Sequence, residues 1–162
     1  MKVHTLSPTD AARHCATHRV TLDYNDVLAL GASATGTVAI IPSSGTFAIG
    51  TRARFAGMSL PTAFDFSDSA INSLLVEIGD GGDTDRLLTQ TEIAADGSYV
   101  TDKLMGAVTA PYAYVAADTI DAKFTAAGGA SPTLAECTSG EVEIYLFVED
   151  GRKLRRPSGS IL

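Results

Sequence analysis

The strongest signal along the chain is alternation of apolar and polar residues with a period of two. In Glu141–Glu149, Val142, Ile144, Leu146 and Val148 share one face, while Glu143, Tyr145, Phe147 and Glu149 share the other. Successive strand side chains point to opposite faces, so this pattern predicts a half-buried strand. Thr46–Phe55 repeats it: Phe47, Ile49, Thr51, Ala53 and Phe55 are expected inward, Arg52 and Arg54 outward. Ala70–Ile78 sets Leu74, Val76 and Ile78 against Leu75 and Glu77. Shorter β-like runs are Val20–Tyr24, Thr37–Ile41, Leu87–Ile93, Tyr112–Val115 and Thr119–Phe124.

Turn signals separate these runs. They are Pro42-Ser43-Ser44-Gly45, Gly79-Asp80-Gly81-Gly82-Asp83, Asp96-Gly97 and Asp150-Gly151. Leu60–Ser69 reads as a loop and Ala126–Pro132 as a flexible connection. Long helical periodicity is absent. A short helix is expected between Pro8 and His18, capped by Ser7 or Thr9. Many short strands with turns between them predict an all-β fold, an antiparallel β-sandwich of jelly-roll-like form. With 162 residues the chain suits one core. The expected division is an N-terminal arm over 1–31, partly extended and ordered on contact, a β-sandwich over 32–150, and a basic C-terminal tail over 151–162.

Composition narrows the function. The net charge is −7, and the tail segment holds Arg152, Lys153, Arg155 and Arg156 with no acid, leaving −11 on the first 150 residues. Phosphate binding needs clustered cations, so nucleic acid is not expected as a partner. The charge asymmetry suits pairing with complementary protein surfaces. Cys15 and Cys137 make no disulfide framework and fit assembly in a reducing compartment. No signal peptide is read in the first residues, and no apolar run approaches the ~18 residues of a membrane span.

Catalytic chemistry finds little to work with. His4, His14 and His18 all fall in the expected arm, which is a poor place for a rigid triad. No phosphate-binding loop or dinucleotide fingerprint occurs. No catalytic residue, cofactor or enzymatic activity is assigned. His14, Cys15 and His18 have the types and part of the spacing of a zinc site, but no second ligand pair exists. Asp80, Asp83 and Asp85 lie in a glycine-rich turn of the kind that supplies oxygen ligands to calcium. Against this, Asp side chains bond their own turn amides, and Arg86 stands ready to neutralise one of them.

Three stretches resemble tailed-bacteriophage virion proteins. They are Leu75–Leu88, the pair Pro111–Tyr114 and Ala117–Phe124, and Gly140–Asp150; residues 1–35 and 151–162 take no part in the likeness. The resemblance implies a virion structural protein assembled in the host bacterial cytoplasm, of the capsid decoration (cement) type. Its partners would be the major capsid protein and copies of itself, as a dimer or trimer. A neck, tail or fibre-base position is the alternative. Expected partner-binding residues are Arg152, Lys153, Arg155 and Arg156 in the tail, Arg52 and Arg54 on one strand, and Tyr145 and Phe147 on another. A reading of another class is a calcium-assisted carbohydrate-binding module, with Tyr112, Tyr114, Tyr145 and Phe147 stacking on sugar.

Overall fold

A computed structural model describes residues 1–42, 45–94 and 111–149. The expected Asp96-Gly97 turn and the basic tail with Arg152, Lys153, Arg155 and Arg156 lie outside the described residues. The strands are β1 (Lys2–Thr5), β2 (His18–Asp23), β3 (Thr35–Ile41), β4 (Arg52–Phe66), β5 (Ser73–Asp80), β6 (Asp83–Ala94), β7 (Tyr112–Ala113), β8 (Ile120–Ala127) and β9 (Cys137–Glu149). Helices α1 (Pro8–His14) and α2 (Tyr24–Leu28) and a 3₁₀ turn at Leu134–Glu136 complete the described elements. The fold is all-β and every pairing among the described strands is antiparallel. One sheet has the order β1-β2-β9-β4-β7 and the other β3-β8-β5-β6.

The alternation read from the sequence builds the core. On β9, Val142, Ile144 and Leu146 are fully buried. On β8, Ile120, Ala122, Phe124 and Ala126 are buried in turn, and on β5 so are Leu74, Val76 and Ile78. These residues join Phe55, Met58, Leu60 and Phe64 of β4 in one hydrophobic cluster fed by both sheets. Each such large side chain contributes about 1.5–3 kcal/mol by leaving water.

The expected arm over 1–31 is corrected. β1 pairs with β2, and β2 lies beside the central β9 with Val20 opposite Ile144 and Leu22 opposite Val142. Val20 and Leu22 are fully buried, so the segment is part of the core. The brief alternation at Val20–Tyr24 was the sign of this. α1 is capped by Ser7, whose Oγ accepts from the Asp10 amide. It ends at His14, followed by Cys15 as a left-handed cap with φ 52°, well before His18. α2 starts with a capping box between Asp23 and Asp26.

The strand expected at 46–55 begins and ends later. Phe47 makes a single bridge to Asp118, and Ile49, expected inward, is 63% exposed. The chain turns through Gly50, at φ 85°, before β4 starts. β4 then runs on to Phe66, through most of the expected loop at 60–69, of which only the last three residues lie outside a strand. The reason is a bulge: the register slips between Phe55 and Gly57. Thr51, Ala53 and Phe55 are buried before the bulge, and Met58, Leu60, Phe64 and Phe66 after it, so the inward positions move from odd to even numbers. Pro61 falls at a further irregularity between Ser59 and Thr62, where a missing amide is tolerated. No described helix is long and apolar enough to cross a membrane.

Candidate partner-binding pocket on the five-stranded sheet

The outer face of the five-stranded sheet gathers residues from β4, β9 and α1. Antiparallel pairing sets Arg54 opposite Phe147 and Arg52 opposite Glu149. The Arg54 guanidinium lies 5.3 Å from the centre of the Phe147 ring. Tyr145 stands opposite Gly57 on one side and Arg19 on the other. The sequence places Tyr145 as an outward residue, yet it is 6% exposed. Its cover is His14, whose ring stacks on it with centroids 4.4 Å apart.

Several bonds fix α1 over this face. Arg54 Nη2 donates to the Cys15 carbonyl at 3.0 Å. The Thr17 amide donates to Leu146 O at 2.9 Å, and Thr17 Oγ1 accepts from the Val148 amide at 2.8 Å. Below the stack, Tyr145 Oη donates to Glu143 Oε2 at 2.8 Å, and Arg19 pairs with Glu143 at 3.2 Å. Burial, and then the hydrogen bond to Glu143, raises the Tyr145 phenol above its ordinary pKa.

Between helix and sheet lies a pocket of about 330 Å³, walled by Arg13, His14, Cys15, Arg54, Tyr145 and the bulge residues Ala56 and Gly57. Among the described residues no carboxylate lines it. Neither Arg13 nor Arg54 has an acidic partner within 4 Å among the described residues, whereas Arg19, Arg86 and Lys123 all do. The structure thus brings together Arg54, Tyr145 and Phe147 of the expected binding residues, with Arg52 exposed at the edge. Arg13, Ala56 and Gly57 were not read from the sequence. The bulge has no composition signal, and Arg13 joins the site only because α1 folds back onto β9.

The other candidate constellations are placed differently. Asp80 is 2% exposed and its carboxylate is occupied. Oδ1 accepts from the Gly82 and Asp83 amides, both at 2.9 Å, and Oδ2 accepts from Arg86 Nε. Arg86 in turn sits over Tyr112, 4.1 Å from its ring centre. Asp80 therefore holds the β5–β6 turn, while the Asp85 carboxyl is pushed up by its hydrogen bond with Asp83. The three aspartates do not converge as calcium ligands. His14 and His18 do not share a helical face, because the helix ends at His14 and His18 belongs to β2. Among the described residues no group of three or more metal-ligating side chains forms. Tyr114 is 3% exposed, wedged edge-on between Phe47 and Tyr112, with its hydroxyl unpartnered. It packs as core and offers no platform for sugar.

No family model matches the chain, and neither a curated protein nor a solved structure does.

Proposed function

We propose that this chain is a non-enzymatic structural protein of a virion that binds and stabilises an assembled phage capsid as a decoration protein. In this reading the two antiparallel sheets form a jelly-roll-like β-sandwich that serves as a rigid body. The virion setting comes from the resemblance of Leu75–Leu88, Pro111–Tyr114 with Ala117–Phe124, and Gly140–Asp150 to phage structural proteins.

Binding, as opposed to catalysis, is carried by one observation. Arg54, Arg13, Tyr145 and Phe147 form a cationic and aromatic patch whose two arginines have no acidic partner in their own chain's described residues. Arginine and aromatic side chains are the types that dominate protein–protein binding energy. His14, the one histidine in the pocket, stacks on Tyr145 and has no nucleophile–base pairing of the kind catalysis needs. The major capsid protein and copies of this chain are the proposed partners, with the basic tail residues Arg152, Lys153, Arg155 and Arg156 as further contacts. The calcium-assisted carbohydrate reading has no such support, since Asp80 and Tyr114 are both committed inside the fold.

Quantitative mass spectrometry of purified virions from the encoding phage tests the proposal. The expected result is a copy number on the scale of the capsid subunits. A number matching a single ring moves the chain to the neck, tail or fibre base, and absence from washed particles refutes the virion assignment.

A further inference from the structure

The pocket between α1 and the β4–β9 ladder has a chemistry more specific than a general contact surface. Its polar lining is cationic: Arg13 and Arg54, with His14 beside them. Arg54 uses one donor on the Cys15 carbonyl, and a guanidinium has five N–H groups, so donors remain for a second acceptor. The Phe147 ring under the guanidinium restricts its orientation. A planar fork held in this way matches the two oxygens of a carboxylate. The remaining wall, Ala56 and Gly57, carries no charge.

A structural role accounts for part of this arrangement. Arg13 and His14 occupy the last turn of α1, and Arg54 satisfies a carbonyl just past it, as cations at a helix C-terminus do. That role needs one donor of Arg54 and does not explain why no acid of the described residues accompanies the two arginines. The whole chain carries −7, so a pocket lined by cations with no acid among the described residues runs against the composition of its surroundings. A small molecule would be poorly enclosed here, because Arg13 and Cys15 on the rim are exposed and about 330 Å³ lies at the small end of ligand cavities. A side chain presented from another surface fits both size and access.

We propose that this pocket recognises a carboxylate presented by an acidic peptide segment of a partner protein. The inference rests on the protein-binding reading above and names the chemistry of the partner's contact.

The test is an NMR titration of the full isotope-labelled chain with an acetylated Glu/Asp peptide and with its Gln/Asn counterpart. The acidic peptide should give saturable shifts at Gly57, His14 and Tyr145, and the neutral peptide none. Arg54→Gln should weaken binding roughly tenfold or more, and rising salt should weaken it further. Arg13→Gln removes an exposed side chain with no ion pair among the described residues and should weaken binding while leaving the spectrum otherwise folded. Labelling Cys15 with a bulky maleimide should block the site. Equal binding by the neutral peptide, or unchanged affinity in both arginine variants, overturns the proposal. Inorganic phosphate binding as well as the acidic peptide also overturns it, in favour of a small-anion site. Self-association of the free chain that Arg54→Gln abolishes overturns it in favour of a second copy. The titration requires no particle, so its failure is distinct from absence of the chain from virions.

Discussion

The imidazole of His14 lies on the phenol ring of Tyr145, 4.4 Å between centroids and 14° from parallel. This contact joins a seven-residue helix to the middle of a sheet. A helix that short is not stable in isolation and depends on what it packs against. With no buried residue on α1 itself, the stack, the Arg54–Cys15 bond and the Thr17 bonds to β9 are its main ties.

His14→Ala should therefore loosen α1 without unfolding the domain. Global stability should fall by about 1 kcal/mol, the scale of an aromatic pair. Amide exchange should accelerate at Ala11 and Ala16, while β9 amides stay protected. Equal acceleration throughout β9 would mean that the stack supports the whole sheet and not the helix alone.

Asp80 closes the β5–β6 turn through two backbone amides and Arg86. Asp80→Ala should cost about 1–3 kcal/mol, because the Gly82 and Asp83 amides lose the acceptor that shapes the turn and Arg86 loses its counter-charge. Arg86→Met should cost less, since the Asp80 carboxylate keeps its two turn amides as donors. Urea denaturation of both variants checks the order. The reverse order would show that the Arg86–Tyr112 contact, rather than the turn, governs this corner.

Acid should destabilise the protein in two stages. Burial lowers the pKa of His18 below its ordinary 6.5. The unfolded chain then takes up that proton first, so stability declines as pH falls below about 6.5. For Glu77, burial opposes ionisation, but hydrogen bonds from Lys123 and Thr84 and the charge of Lys123 outweigh it and hold the carboxyl below its ordinary 4.5. Its contribution is full above about 4.5 and is lost as pH falls through the folded value. Urea midpoints across this range should lose the first stage in His18→Gln and much of the second in Lys123→Met. Identical profiles in wild type and both variants would exclude these two groups.

The two cysteines should differ sharply in reactivity. Cys15 is exposed, whereas Cys137 is 1% exposed, and its thiol is pushed up to about 12 by burial. The thiolate is the reactive form, so a thiol reagent should modify one cysteine in the native protein and the second only after denaturation. Rapid native reaction at Cys137 would show that the start of β9 opens readily.

Much of the fold was legible in the sequence wherever alternation ran unbroken. Val142, Ile144 and Leu146, and Leu74, Val76 and Ile78, were assigned inward from period alone, and they are buried. The self-bonded Asp80 turn was also open to reading, because Asp before Gly-Gly and an arginine six positions on carry their own local chemistry. Local patterns of this kind require no knowledge of distant residues.

The tertiary structure decided what depends on sequence-distant pairing. It placed His18–Asp23 beside β9, which turned an expected arm into sheet and core. It carried β4 past Phe55 through a bulge that shifts the buried positions by one and defeats a strict period of two. It also brought Arg13 and Cys15 over Arg54 and Tyr145, which stand far apart in sequence. A pocket of that origin is made by the pairing of β4 with β9 and the return of α1, and alternation within one strand holds no record of either.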